Sequence, residues 1–253
     1  MKKILILGDS HVGSLKIVQN QVQSNDTQCD MIGFPLPIAA LLDFSNGRLE
    51  MNEQSDFKAT SHGHTSDDLQ RWSAQTNAVI TSINKSGSID LSSYDSIVIY
   101  GGHFIYRQWW KFPTVADAYS SSLKQEIVKE LLSNTLHLDW VDKVKEAAGN
   151  NVSLYSMPEP ILNELVWGYK GEIAQDTGYL KYIPKNANYF DNIALLEQAL
   201  YERGSAFLPL PERLYKNNNS ISAKYKSTDA KDFIHLNSEG AQLVLENILA
   251  VVS

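Results

Sequence analysis

The sequence predicts an α/β fold, a three-layer α/β/α sandwich built around a central parallel sheet. Short apolar runs bounded by turn residues alternate along the 253-residue chain with longer segments whose apolar residues recur at helical spacing. Strands that alternate with helices form parallel sheets covered on both faces, and such buried strands are continuously apolar. Ligands of these folds bind beyond the carboxyl ends of the strands. The residues that follow each strand are therefore the first candidates for a functional site.

The first strand and helix form the clearest pair of elements. Residues 2–7 are a short apolar run that ends at Gly8-Asp9-Ser10, and residues 12–23 carry apolar residues at helical spacing. The pattern predicts a strand, a tight turn and a helix. Further strands are predicted at 29–34, 96–100, 152–157 and 206–208, and further helices at 66–83, 116–132, 138–148, 189–203 and 238–251.

We expect residues 1–253 to form a single domain, because no repeat, low-complexity tract or linker divides the chain. Residues 104–187 are rich in aromatic residues, including Trp109, Trp110 and Trp167, and indicate an insertion beside the site. Aromatic core for a helical layer is the alternative, since large rings dominate core burial. The polar residues 216–232 suggest a surface loop.

Composition excludes several classes of function. The formal charge is −7, from 22 Lys and Arg against 29 Asp and Glu, and nucleic-acid binding depends on excess positive charge. One cysteine rules out an internal disulfide framework. No stretch of about 18 apolar residues or secretory signal pattern is present, so we expect a cytoplasmic protein without membrane insertion.

Ser10 lies where its hydroxyl would project from the carboxyl edge of the sheet, close to a helix N-terminus. A serine needs a base to become nucleophilic, and the base needs a group that orients it. Asp232 and His235, three residues apart before the final helix, offer both. The competing interpretation makes Ser10 a helix cap, a common use of serine. Asp9 is expected to hydrogen-bond within the turn.

These segments resemble the blocks of the SGNH/GDSL hydrolase superfamily. Gly8-Asp9-Ser10 matches the first block, and Asp232-x-x-His235 before the terminal helix matches the last. Gly63, followed by Thr65 and Ser66, looks like the second block. The resemblance implies a flavodoxin-like sandwich in which Ser10 is the nucleophile, His235 the general base and Asp232 its orienter. It also implies that the backbone N–H groups of Ser10 and Gly63 are oxyanion donors.

The third block of the family, normally Gly-x-Asn-Asp, is altered here. After the 96–100 strand the chain reads Gly101-Gly102-His103-Phe104, so His103 stands where the asparagine would be. A neutral imidazole can donate one N–H, which makes His103 a candidate oxyanion donor. A strand-end histidine that only supports its loop is the alternative.

Further residues are candidates for contact with a substrate. Arg107, or alternatively Arg71, would meet an anionic group, Trp109 would stack on a sugar, and His11 would have a packing or substrate-edge role. No cofactor or metal is expected, because His62-x-His64 with nearby carboxylates lacks a third well-spaced ligand. The oligomeric state is left open.

The function implied by the resemblance is that of a serine esterase acting on O-acyl esters, in the first place O-acetyl esters of carbohydrate. Two alternatives remain at this point. An O-acyltransferase of surface-polysaccharide biosynthesis would use a sugar hydroxyl in place of water. A binding protein that kept the fold but lost turnover would fit the altered third block.

Overall fold

The computed structural model describes residues 1–22, 26–35, 38, 41–52, 66–101, 120, 122–123, 126, 130, 136–158, 193–217, 220–228 and 235–252. The helices and strands within these residues are, in chain order, β1 (Lys2–Gly8), α1 (His11–Val22), β2 (Thr27–Gly33), β3 (Leu42–Asp43), β4 (Arg48–Met51), α2 (Ser66–Ile83), β5 (Ser88–Asp90), β6 (Ser96–Tyr100), α3 (Leu136–Ala148), β7 (Ser153–Met157), α4 (Ile193–Glu202), β8 (Ser205–Phe207), β9 (Tyr215–Asn217), β10 (Ser220–Ile221) and α5 (Ser238–Val252).

Five strands form the central sheet in the order β2-β1-β6-β7-β8. All four neighbouring pairs are parallel. β1 pairs with β2 on one side and β6 on the other, so the strand order reverses at β1. The carboxyl ends of β1 and β6 flank the crevice in which open α/β sheets bind their ligands.

Each face of the sheet carries its own hydrophobic cluster. Successive side chains of a strand point to opposite faces, and in β1 Leu5 and Leu7 join one cluster whereas Ile4 and Ile6 join the other. Helices α2, α3 and α4 cover the first face, and α1 and α5 cover the second. The predicted three-layer α/β/α sandwich with a central parallel sheet is confirmed.

The structure adds two small antiparallel pairings to the predicted elements. Strands β3, β4 and β5 form a three-stranded sheet, and β9 pairs with β10. The prediction of a surface loop over 216–232 was therefore wrong at its start. Ile221 and Tyr225 are buried there among otherwise polar residues, and strands of two to four residues are too short to show an alternating pattern.

The middle of the chain is only partly described. Most of the aromatic-rich segment 104–187, including Trp109, Trp110 and Trp167, lies outside the described residues. So does most of the predicted helix 116–132, of which residues 122–123, 126 and 130 are described and helical. The helix predicted at 189–203 spans Ile193–Glu202. Among the described helices, none has the length and apolarity needed to cross a membrane.

Candidate active site

Ser10 lies in the turn between β1 and α1, and its residue is exposed at the carboxyl edge of the sheet. The turn is closed by backbone bonds, in which the Val12 N–H donates to the Asp9 carbonyl (3.1 Å) and the Gly13 N–H to the Ser10 carbonyl (3.0 Å). The buried Asp9 carboxylate accepts the His11 N–H at 2.9 Å. Asp9 thus hydrogen-bonds within the turn, as predicted, and satisfies an N–H at the start of α1.

Gly8 allows the turn to begin so close to the neighbouring strand. A Cβ at this position would overlap the carbonyl oxygen of Tyr100 on β6, and it would also lie 3.0 Å from a methyl carbon of Val12. Only glycine leaves room for the backbones of β1 and β6 to approach at this point. Ser10 therefore emerges directly beside the end of β6.

His235 reaches Ser10 from the other end of the chain. Its Nε2 lies 2.9 Å from the Ser10 Oγ, across 225 residues of sequence. This is a hydrogen-bond distance, and it is the arrangement that a serine nucleophile and its base require. The serine and histidine singled out by the sequence are thus brought together at one edge of the sheet.

A short backbone pairing holds the segment that carries His235. Lys226 and Leu236 form an antiparallel bridge, in which the Ser227 N–H donates to the His235 carbonyl at 3.0 Å and the Asn237 N–H donates to the Tyr225 carbonyl at 2.9 Å. The imidazole is therefore presented by a fixed strand-like segment immediately before α5.

His11 packs behind the Ser10–His235 pair. Its side chain is 3% exposed, and its ring centroid lies 5.0 Å from that of His235 and 6.2 Å from that of Tyr100. The predicted packing or substrate-edge role remains a prediction, but little of the ring is accessible to a ligand.

A buried histidine that the sequence reading overlooked lies at the end of β6. His137, in the first turn of α3, is fully buried, and its Nδ1 lies 2.6 Å from the Gly101 carbonyl oxygen. Burial lowers the pKa of His137 to about 4, against the opposing effects of the Gly101 hydrogen bond and the Asp9 charge. Its position four and seven residues before Val141 and Val144, on the apolar face of α3, was the available signal.

Several predicted site residues lie outside the described residues, namely Gly63, His103, Arg107, Trp109 and Asp232. Their proposed roles remain predictions. Arg71, the alternative anion partner, is on α2 and makes an exposed salt bridge to Asp68 at 2.7 Å, a type of contact worth little in water.

Neither the buried Cys29 nor the metal-binding residue types provide a second candidate site within the described residues. Burial, reinforced by the Asp30 charge, raises the pKa of the Cys29 thiol to about 12, so the thiol is protonated at neutral pH and is a poor nucleophile. Within the described residues no three His, Cys, Asp or Glu side chains cluster as a metal site would require.

Comparison with known proteins identifies solved structures of related shape. No protein-family profile matches the sequence, and no curated protein matches it. The chain is similar to a Streptococcus pneumonia protein provisionally described as a platelet activating factor, with 12% identity, TM-score 0.49, and coverage of 100% of this chain and 84% of that one. It is also similar to an extracellular lipase from Streptomyces rimosus (13%, TM-score 0.47, 100% of both chains) and to an acetyl xylan esterase (11%, TM-score 0.37, 99% of this chain and 100% of that one).

Proposed function

We propose that this protein is a serine esterase that cleaves O-acyl esters through Ser10 and His235. The observation that carries the proposal is the 2.9 Å contact between His235 Nε2 and Ser10 Oγ at the carboxyl end of β1. Resemblance of Gly8-Asp9-Ser10 and Asp232-x-x-His235 to the first and last SGNH blocks supports the same assignment.

Acylation begins with proton transfer from the Ser10 hydroxyl to His235 Nε2 as Oγ bonds to the ester carbonyl carbon. The carbonyl π electrons move to oxygen and give a tetrahedral oxyanion. Collapse of this intermediate breaks the bond to the alcohol oxygen, which receives the proton from His235. Water then attacks the acyl carbon while His235 takes a proton from it. The bond between the acyl carbon and Ser10 Oγ breaks, Oγ receives the proton from His235, and the carboxylic acid leaves.

In the proposed reaction, N–H groups at this edge of the sheet stabilise the oxyanion by donating hydrogen bonds to it. The Ser10 backbone N–H lies at the N-terminal end of α1, where the helix dipole favours negative charge. Gly63 and His103 are proposed as the other donors from the sequence resemblance. Loss of one such donor typically costs about 2.7–4 kcal/mol of transition-state stabilisation.

The proposed substrate is an O-acetyl ester of a carbohydrate. Support comes from the sequence alone, through the aromatic-rich segment with Trp109 as a stacking face and Arg107 as an anion partner. Sugars bind flat aromatic faces through their apolar C–H surfaces, and the −7 charge of the chain disfavours polyanionic partners.

A substrate screen tests the proposal. Purified protein would be incubated with p-nitrophenyl acetate, longer p-nitrophenyl esters and acetylated xylose, with Ser10→Ala as the variant and Ser82→Ala, an exposed serine on α2, as the matched control. We expect acetyl esters to be cleaved fastest by the parent and the control, and not by Ser10→Ala. Activity that survives in Ser10→Ala would refute the assignment. Transfer of the acetyl group to added sugar instead of water would identify an acyltransferase, and no turnover with any ester would favour a binding protein.

A further inference from the structure

Gly101, the residue that follows β6, is held on two sides by the sheet and by Asp9. Its backbone has φ +81°, a left-handed conformation that favours glycine. The Gly101 N–H donates to the Met157 carbonyl on β7 at 3.0 Å. A Cβ on Gly101 would lie 2.7 Å from Oδ1 of Asp9, so the carboxylate packs directly against the glycine backbone.

His137 holds the remaining side of Gly101. A carbonyl oxygen can only accept a hydrogen bond, so the 2.6 Å contact requires that His137 Nδ1 carries the proton and donates it. Because the ring is neutral at neutral pH, this bond selects one tautomer. A buried imidazole costs desolvation that an apolar side chain of similar size would not. The hydrogen bond to the Gly101 carbonyl offsets part of that cost.

The contacts continue from Gly101 to the nucleophile. Asp9 packs on Gly101 through its carboxylate, accepts the His11 N–H with Oδ1, and accepts the Val12 N–H with its main-chain oxygen. Ser10 lies between Asp9 and His11 in the sequence. The bond from His137 to Gly101 therefore bears on the position of the turn that presents the Ser10 hydroxyl to His235.

We propose that His137 is a positioning residue for Ser10, which acts through Gly101 and the buried Asp9 carboxylate. This inference rests on the proposed function, in which Ser10 attacks the ester. A nucleophile must approach the carbonyl carbon within about 3–3.5 Å, and a displacement of about 1 Å can cost roughly 10²-fold in rate. A shift of Gly101 or Asp9 would displace the Ser10 hydroxyl. We therefore expect it to lower the rate of attack more than it changes substrate affinity.

The test compares variants that keep or remove the donor. His137→Asn places an amide N–H where Nδ1 stood, whereas His137→Phe fills the volume without a donor. Val144 is a buried residue of α3 in the hydrophobic cluster on that face of the sheet, and Val144→Ala controls for loss of stability. Each variant would be measured by urea unfolding, by kcat and KM on p-nitrophenyl acetate, and by the rate at which a fluorophosphonate labels Ser10.

We expect His137→Phe to lower kcat and the labelling rate by about 10²-fold with little change in KM. His137→Asn should recover most of that loss, and Val144→Ala should keep the parent kcat despite reduced stability. The proposal is overturned if folded His137→Phe keeps the parent kcat, if Asn rescues nothing, or if Val144→Ala loses as much activity. A parent protein that neither reacts at Ser10 nor cleaves esters overturns the proposed function, and the positioning role with it.

Discussion

The close approach of β1 and β6 beside Ser10 depends on a single residue, Gly8. Gly8 and Gly13 lie on either side of Ser10, yet their surroundings differ: a Cβ on Gly8 would overlap the Tyr100 carbonyl, whereas one on Gly13 meets nothing within 4 Å. Gly13 is also exposed in helix α1. The two glycines therefore form an internal comparison between a steric requirement and helix propensity.

Gly8→Ala is expected to destabilise the fold by several kcal/mol or to prevent folding, because the backbones of β1 and β6 must separate. Gly13→Ala is expected to stabilise it by up to about 1 kcal/mol, the usual gain from glycine to alanine inside a helix. Urea unfolding followed by circular dichroism measures both. Equal changes in the free energy of unfolding for the two substitutions would show that the close approach of β1 and β6 does not require glycine at position 8.

His11 supplies the ring against which His235 rests, with centroids 5.0 Å apart. Removing the ring should let His235 adopt other rotamers and lose its contact with Ser10. We expect His11→Ala to lower kcat on p-nitrophenyl acetate by about 10–10²-fold, and His11→Phe, which keeps a ring, to retain more activity. If instead both variants raise KM and leave kcat unchanged, His11 contacts the substrate, as its alternative role predicts.

Among secondary-structure elements, α5 begins directly after the segment that carries His235, and the side chain of Asn237 stabilises this junction. Asn237 caps this helix, because its Oδ1 accepts the Gly240 N–H at 3.0 Å. Its Nδ2 also donates to the Lys224 carbonyl at 2.6 Å. Asn237, which lies two residues after His235, thus joins the start of α5 to the 3-10 turn Ala223–Tyr225.

Asn237→Ala removes both bonds and is expected to reduce the free energy of unfolding by about 1–2 kcal/mol, with reduced esterase activity. Asn237→Asp keeps the cap acceptor, adds a favourable charge at the helix N-terminus and loses only the bond to Lys224. Thermal unfolding should rank the proteins parent, Asp variant, Ala variant. An Ala variant as stable as the parent would mean that α5 does not depend on this cap.

Element boundaries were predicted best where the sequence carries long apolar patterns. β1 and β6 are buried over most or all of their length, and α5 buries apolar residues at helical spacing, so each shows its pattern within one continuous segment. β3, β4, β9 and β10 depend on pairing between short segments, for which local patterning carries little signal. The Ser10–His235 contact followed from matching motifs, whereas the His137–Gly101 contact joins residues 36 apart and no motif marks it.

At the scale of the whole molecule, His137 makes stability depend on pH. Its pKa is lowered from 6.5 to about 4 by burial. Between these values the unfolded chain binds a proton that the folded chain does not, so the free energy of unfolding falls as pH falls. At about 1.4 kcal/mol per pKa unit, we expect the charge state of this residue to reduce the free energy of unfolding by roughly 3 kcal/mol between pH 6.5 and pH 4.

Urea unfolding at several pH values from 7 to 4 measures this contribution. His137→Asn carries no titratable group at this position, so its stability should fall less steeply with decreasing pH than that of the parent. Parallel curves for the two proteins would show that acid destabilisation arises from other groups.

The central claim is that Ser10 is a nucleophile activated by His235. Its most direct measurement is mass spectrometry of the protein after treatment with a fluorophosphonate, with the modified residue located by peptide mapping. We predict a single adduct on Ser10 in the parent, none in Ser10→Ala, and labelling slowed by at least about 10³-fold in His235→Ala. A parent that remains unmodified, or one labelled at the same rate without His235, would contradict the claim.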